Sequence, residues 1–470
     1  MTTDQSSPHP FTALEKVTFL HLAVLLLGAS WLYGGNIWWM RTALSVWASL
    51  GIFITIAVLF EGGGRGRAMR RRLWWLLPWL LFIILVAASA FNPSARSMTI
   101  EGETVLVHFG AARAGWPSSV LPDRTLQELW FYAAIYLAAF NILLVPRGRR
   151  WLRLLVALGA GNCLVIAGFG TVQKLLAADI YFGAGHSPNP RFFATFLYYN
   201  HWGAFMILWL AAAAGLLFHY ASRQQGRDLW HSPFTGAVLG LLVLAASAPV
   251  SASRAATGMM LGVTGTAAVH GLVRIIRHRS RERRSLAPPV LALLVFVIAT
   301  GAAIGWLAQR SIDERVVETR ANWAKDRTIL GARADLYRDT WRLIQQKPAF
   351  GWGLESYANV IGIARPRGVG LYDKHENTFA EAHCDWLQSL LETGFVGTGL
   401  AILMGLVPLL AGIRQAFQSP LVPYVLLGAG LILLYALVEF PFANGAVVIS
   451  FWLLLFAACR YARLERASEP

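Results

Sequence analysis

Runs of eighteen or more predominantly apolar residues recur along the whole chain, and no other feature restricts its fold as much. Each run is long enough to cross ~30 Å of hydrocarbon as an α-helix, which satisfies its own backbone hydrogen bonds where water cannot. About twelve such windows occur: 16–34, 43–60, 73–91, 129–146, 151–175, 196–220, 233–252, 256–273, 288–307, 386–413, 422–440 and 444–462. The least regular are 151–175, which glycines interrupt, and the closely spaced pair around Arg254. A soluble chain of 470 residues would show polar faces at helical period in these windows, and most show none. Only 14% of the residues are charged, and the mean hydropathy is +0.50. The expected fold class is an all-α polytopic membrane protein with about twelve transmembrane helices, embedded in the lipid bilayer.

Arginine placement sets the expected orientation. Arg65, Arg67, Arg70, Arg71 and Arg72 follow the second window, Arg147, Arg149 and Arg150 the fourth, and Arg223 and Arg227 the sixth. The run from Arg274 to Arg284 follows the eighth, and Arg460, Arg463 and Arg466 lie in the tail. In a twelve-span arrangement all of these fall on one side, which the positive-inside rule makes cytoplasmic, with both termini there. The net charge of +16 then reflects topology and anionic lipid, and no nucleic-acid partner is expected. The N-terminus lacks a basic region and an evident cleavage site, so 16–34 reads as a retained signal-anchor. Of three cysteines, Cys163 and Cys459 lie in apolar windows and only Cys384 falls on the outward side. Neither a disulfide framework nor a zinc spacing follows, and no metal or cofactor is expected.

The polar mass sits in two outward loops. Residues 1–307 hold nine helices and the loop 92–128, where T-I-E-G-E-T-V-L-V-H-F reads as two short strands around a Glu101-Gly102-Glu103 turn. The larger loop, 308–385, carries twelve Lys/Arg against eleven Asp/Glu, and 386–470 holds the last three helices and the tail. The first half of the larger loop has charges of both signs at helical spacing. Its middle, A-R-A-D-L-Y-R-D-T-W-R-L-I-Q-Q-K-P, has apolar residues Leu336, Trp341 and Ile344 compatible with an amphipathic helix ending before Pro348. Such a helix suits a membrane interface.

His383 is the candidate base. It stands where this loop re-enters the membrane, and imidazole titrates near ~6.5. A helix-capping or simply hydrated histidine is the plainer alternative, and His375 is the rival base. Arg254, in the break S-A-S-R-A-A-T-G, lies opposite the basic loops. It reads either as an anion site, since guanidinium offers phosphate a fork of donors, or as an interfacial arginine. Arg333, Arg338 and Arg342, with Arg191 on another outward loop, read as a diphosphate cluster or as surface charge. Glu392 is a carboxylate inside an apolar window, where function or pairing with Gln388 one turn earlier are the alternatives. Asp385 adjoins His383. The chain has no Walker loop, GxSxG, HExxH or Asp-x-Asp, so a nucleotide-sugar donor with a carboxylate-held metal is not expected.

Two segments together, R-A-D-L-Y-R-D-T-W-R-L-I-Q-Q-K-P-A-F-G-W-G-L-E-S-Y and A-H-C-D-W-L-Q-S-L-L-E-T-G-F-V-G, resemble the O-antigen ligase and polymerase superfamily of bacterial envelopes. The signature falls on Arg333, Tyr337, Pro348, Gly351, Gly353, His383, Asp385, Leu387, Gln388, Glu392, Gly394 and Gly397, with the short Ser-Arg element on Arg254. Cys384 stands where the family usually has asparagine. The resemblance implies a GT-C-like multi-span glycosyltransferase of the bacterial inner membrane with a periplasmic site. It would transfer a saccharide from undecaprenyl diphosphate to a glycan or lipid A-core acceptor hydroxyl, without a metal. His383 would be the base, and Arg254 and Arg333 would hold the diphosphate. Cations that neutralise the leaving group replace the acid of a two-carboxylate glycosidase, and attack on the anomeric carbon opposite the leaving group would invert an α-linked donor. A repeat-unit polymerase of the same superfamily is the alternative within this class. A transporter or flippase of lipid-linked glycan is the alternative outside it.

Overall fold

A computed structural model of the chain describes residues 10–100, 103–111, 113–176, 192–221, 233–281, 332–364, 379–412 and 419–466, with isolated positions between 285 and 309. The protein is an all-α polytopic membrane protein. Among the described residues nine helical stretches are long and apolar enough to span a bilayer, and two shorter apolar helices accompany them. In chain order these are α1 (Ala13–Trp31), α2 (Trp38–Ser49) with α3 (Gly51–Leu59), α4 (Gly63–Leu73) with α5 (Leu77–Ala90), α6 (Pro122–Leu144) and α7 (Arg149–Leu175). They continue as α8 (Tyr199–Ala221), α9 (Pro233–Val250) and α10 (Arg254–Arg281). Eleven of the twelve expected windows coincide with helices, and most of 288–307 lies outside the described residues. Leucine, isoleucine and phenylalanine side chains stay exposed along α3 and α5, as an outer face turned to lipid requires.

The core is aromatic and gathers around α6, α8 and the last helix, α15 (Gly445–Arg466). Tyr136 meets Trp452 and Phe456 edge-on, and Trp202 stacks on Phe193. Such pairs are worth about 0.5–1.5 kcal/mol each beyond the area they bury. The end of the bundle rich in arginine uses several of them as caps for helix C-termini. Arg72 donates to Leu143 O, Arg65 to Val145 O and Arg460 to Pro146 O, all at the end of α6. Cations at a helix C-terminus also meet the negative end of its dipole.

The opposite end carries a cap. Strands β1 (Ala95–Ile100) and β2 (Glu103–His108) pair antiparallel, with Ala95 opposite His108 and Ile100 opposite Glu103. The turn residues 101–102 lie outside the described residues. Helix α11 (Ala332–Gln346) forms where the sequence places it, but it packs on protein rather than lying free at an interface. Leu336, Leu343 and Ile344 are fully buried against Val360, Ile361 and Leu391, whereas Trp341 is 43% exposed and does not join that face. After the short α12 (Tyr357–Ala364) the chain reaches α13 (Asp385–Gly412) and α14 (Leu421–Tyr435).

Two departures from the expected spans shape the site. The arginine loop 65–72 is itself helical, as α4. The window 422–440 stops being helical at Tyr435, and Pro441 keeps Phe440 out of the α region, so the helix does not resume before it. The non-helical stretch 436–440, followed by a 3₁₀ turn at Pro441–Ala443, brings Glu439 to the cap.

Candidate active site

His383 sits two residues before α13 with a left-handed backbone, φ +51°. Tyr337 donates to the His383 carbonyl at 2.7 Å and holds that conformation. Burial pushes the Tyr337 phenol up to about 12 even beside Arg333, so it remains a donor at neutral pH. On the other side of the histidine, Gln388 Oε1 accepts the Ala382 N–H at 3.0 Å. The Asp385 N–H donates to Ala436 O at 2.9 Å, and Asp385 Oδ2 accepts the Phe442 N–H at 2.9 Å. The spacing of His383, Asp385 and Gln388 is thus a clamp, fixing the backbone before and after the ring and tying it to the segment 436–442.

That segment supplies Glu439, the residue on which the site converges. Glu439 is 5% exposed. Its Oε1 accepts Arg333 Nη2 at 2.6 Å and Asn200 Nδ2 at 3.0 Å. Its Oε2 lies 3.6 Å from His383 Nδ1, just beyond hydrogen-bond length, and neither atom has another partner among the described residues. Burial acts to raise the Glu439 carboxyl, but His383 and Arg333 outweigh it and hold it below the usual carboxylate range. Burial likewise opposes the Arg333 cation, and the Glu439 charge overcomes it, raising that group. Phe440 packs edge-on to the His383 ring at 4.9 Å and stacks on Tyr198, limiting how the imidazole turns.

Arg254 is exposed at the start of α10. The preceding Ser253 caps that helix, its Oγ accepting the Ala256 N–H at 3.3 Å and donating to Asn200 Oδ1 at 2.7 Å. Asn200 therefore links the Ser-Arg element to Glu439. A guanidinium at a helix N-terminus sits against a positive dipole end, an arrangement that suits an anion bound between them.

The remaining candidates divide. Arg338 pairs with Asp335 at 2.9 Å and Arg342 with Asp339 at 3.3 Å, both arginine side chains more than 60% exposed. Arg191 and His375 lie outside the described residues. Glu392 is buried and accepts Gln388 Nε2 and the Tyr357 N–H, each at 3.3 Å, the plainer of its two sequence alternatives. Cys384 is buried, and burial pushes its thiol up, away from thiolate chemistry.

A cavity of about 740 Å³ adjoins this cluster and follows α13 from Asp385 to Leu409. Its polar end holds Arg41, Arg124, Glu128, Glu355, Glu381 and Gln388, with Arg41 in an ion pair with Glu128. Its apolar length is lined by Leu406, Leu409, Leu426, Leu433, Trp452 and Leu455. Burial pushes Glu381 up to about 7 and also raises Glu355. Sequence reasoning missed Glu439, Asn200 and Arg41. The first left a faint signal, an acid in the apolar window V-E-F-P-F, and the third another, a cation in the apolar run W-W-M-R-T-A-L.

A helical bundle with a cap that sets a histidine and an arginine on one buried carboxylate, beside an amphipathic cavity, defines a multi-pass membrane protein with a polar site at one membrane face. Residues 239–402 match the family model described as O-antigen ligase. That segment, which carries Arg254, Arg333 and His383, is a domain of the O-antigen ligase and polymerase superfamily. No curated protein matches the chain.

Proposed function

We propose that the protein is an inverting, metal-independent membrane glycosyltransferase. In this reading it moves an oligo- or polysaccharide from undecaprenyl diphosphate to an acceptor hydroxyl, as an O-antigen ligase does, on the periplasmic face of the bacterial inner membrane. The observation that carries this is Glu439 between Arg333 and His383. A carboxylate facing Nδ1 selects the tautomer protonated there, leaving the Nε2 lone pair to accept a proton. His383 then takes the acceptor hydroxyl proton as that oxygen attacks the anomeric carbon. The bond to the diphosphate breaks with its electron pair, and guanidiniums stabilise the departing charge.

Arg254, with the α10 N-terminus behind it, is the principal diphosphate site. Arg333 serves the same charge while holding Glu439, and Arg191 and Arg338 are outer contributors. Asp385, Gln388 and Glu392 position the histidine turn, and His375 is the secondary base candidate. The cavity along α13 supports a lipid-linked substrate. Its apolar length suits a hydrocarbon chain, and its acid-rich polar end suits sugar hydroxyls better than a diphosphate.

Purified protein given a short saccharide on polyprenyl diphosphate and a hydroxyl acceptor should release free polyprenyl diphosphate and form a linkage of inverted anomeric configuration. Retained configuration, or no diphosphate release by well-folded protein, would reject the reading. In a deletion strain, full-length chains accumulating on the carrier mark a ligase and single repeats mark a polymerase.

A further inference from the structure

The arginine-rich end of the bundle contains a second cavity, about 460 Å³, lined by Arg67, Ala68, Arg71, Arg72, Trp75 and Arg463. Four of these six are arginines, brought together from α4 and from α15 at the far end of the sequence. Among the described residues no Asp or Glu lines the cavity. The positive-inside rule explains arginines at this end of the molecule, but not their convergence on one concavity from two distant elements. Neighbouring Arg65, Arg70 and Arg460 donate to the carbonyls of Val145, Glu61 and Pro146, and of the lining arginines Arg72 also donates to Leu143 O. Within the cavity, Arg463 lies over the Trp75 ring at 4.7 Å, a cation–π contact.

Like charges gathered in a partly desolvated hollow repel one another unless an anion enters. Guanidiniums match phosphate oxygens in geometry as well as charge. We infer that this cavity binds phosphate-bearing anions and that its occupant is the headgroup of an anionic membrane phospholipid. A lipid is favoured over soluble phosphate because the helix leaving the cavity offers a lipid-facing strip. Trp74 is 75% exposed there, and Leu77, Leu80, Leu81 and Ile84 follow it, a surface on which acyl chains can lie. The inference is independent of the proposed transfer chemistry.

The test is native mass spectrometry of the full-length protein in detergent, titrated with cardiolipin, whose two phosphates suit four guanidiniums. One cardiolipin should be retained in preference to phosphatidylcholine. Arg67→Gln with Arg71→Gln should weaken it on the order of ten- to thirtyfold. Ala68→Trp, which fills the cavity and keeps every charge, should also remove it. Arg277→Gln with Arg279→Gln, at the same end of the molecule but away from the cavity, should leave it unchanged. Equal losses in the site and control variants, or retention by Ala68→Trp, would overturn the site in favour of diffuse surface charge. Inorganic diphosphate that displaces cardiolipin from wild type and alone raises the melting temperature as much would support the site and assign it a soluble occupant.

Discussion

A histidine with φ near +50° is uncommon, and left-handed non-glycine residues persist only where their surroundings hold them. His383 is held by Tyr337 from α11, by the Asp385 clamp and by Phe440. Its partner Glu439 is charged at neutral pH because Arg333 and His383 offset its burial. Glu439→Gln should therefore lower kcat by about 10²-fold or more while changing KM much less, since it removes the group that orients the base and touches no substrate. Steady-state rates at several acceptor concentrations check this, and an unchanged kcat would remove Glu439 from the mechanism. Glu381 gives a stability test. With a folded value of about 7 and an unfolded value near ~4.3, the native state binds the extra proton between those limits. Its contribution to stability therefore falls as pH rises through that window. Glu381→Gln should melt above wild type at pH 8, by a few degrees, and show no such advantage at pH 5. His383 and Arg333 were legible in the sequence because their spacing to Gly351, Gly353 and Gln388 is local. Glu439 was not, because its role depends on a chain reversal that places it 56 positions after His383.

At the scale of elements, the G-W-G and E-x-G-x-x-G motifs explain each other. The helix ladder of α13 is interrupted at Gly394, φ +66°. The loop carrying Trp352 fills the break. Trp352 and Gly353 donate to Leu391 O and Glu392 O at 2.9 Å, and Phe395 donates back to Pro348 O at 2.8 Å. A Cβ on Gly351 would lie 2.5 Å from the Glu392 carbonyl carbon, and one on Gly394 would lie 2.3 Å from Ala349 O. Gly394→Ala should cost about 1–3 kcal/mol or more, read as a fall in the melting temperature of the purified protein. A melting curve that does not move would show that the break is not fixed by this backbone pairing. Periodicity alone reads the window 386–413 as one uninterrupted helix, because the apolar pattern continues across the break. It likewise reads 422–440 as a full span, although the helix ends at Tyr435. Only the pairing between distant segments shows why these glycines recur.

At the scale of the molecule, the apolar windows made the fold legible almost completely, because a spanning helix is set by length and hydropathy within one segment. The site was only partly legible, because its members come from α8, α10, α11, the start of α13 and the chain after α14. The arginine-rich end and the cap lie at opposite ends of the bundle, so on the proposed topology Arg342 faces the periplasm and Arg279 the cytoplasm. All three native cysteines are buried, so wild type should resist a membrane-impermeant maleimide. Arg342→Cys should label in cells with a permeabilised outer membrane, and Arg279→Cys only after lysis. The reverse pattern would invert the topology. The central claim is that His383 accepts the acceptor proton at a carboxylate-anchored site. Single-turnover transfer from a polyprenyl-diphosphate saccharide by His383→Ala, at wild-type folded concentration, tests it most directly. A rate lower by about 10²- to 10⁴-fold with donor binding retained is the predicted result. Transfer at the wild-type rate would contradict it.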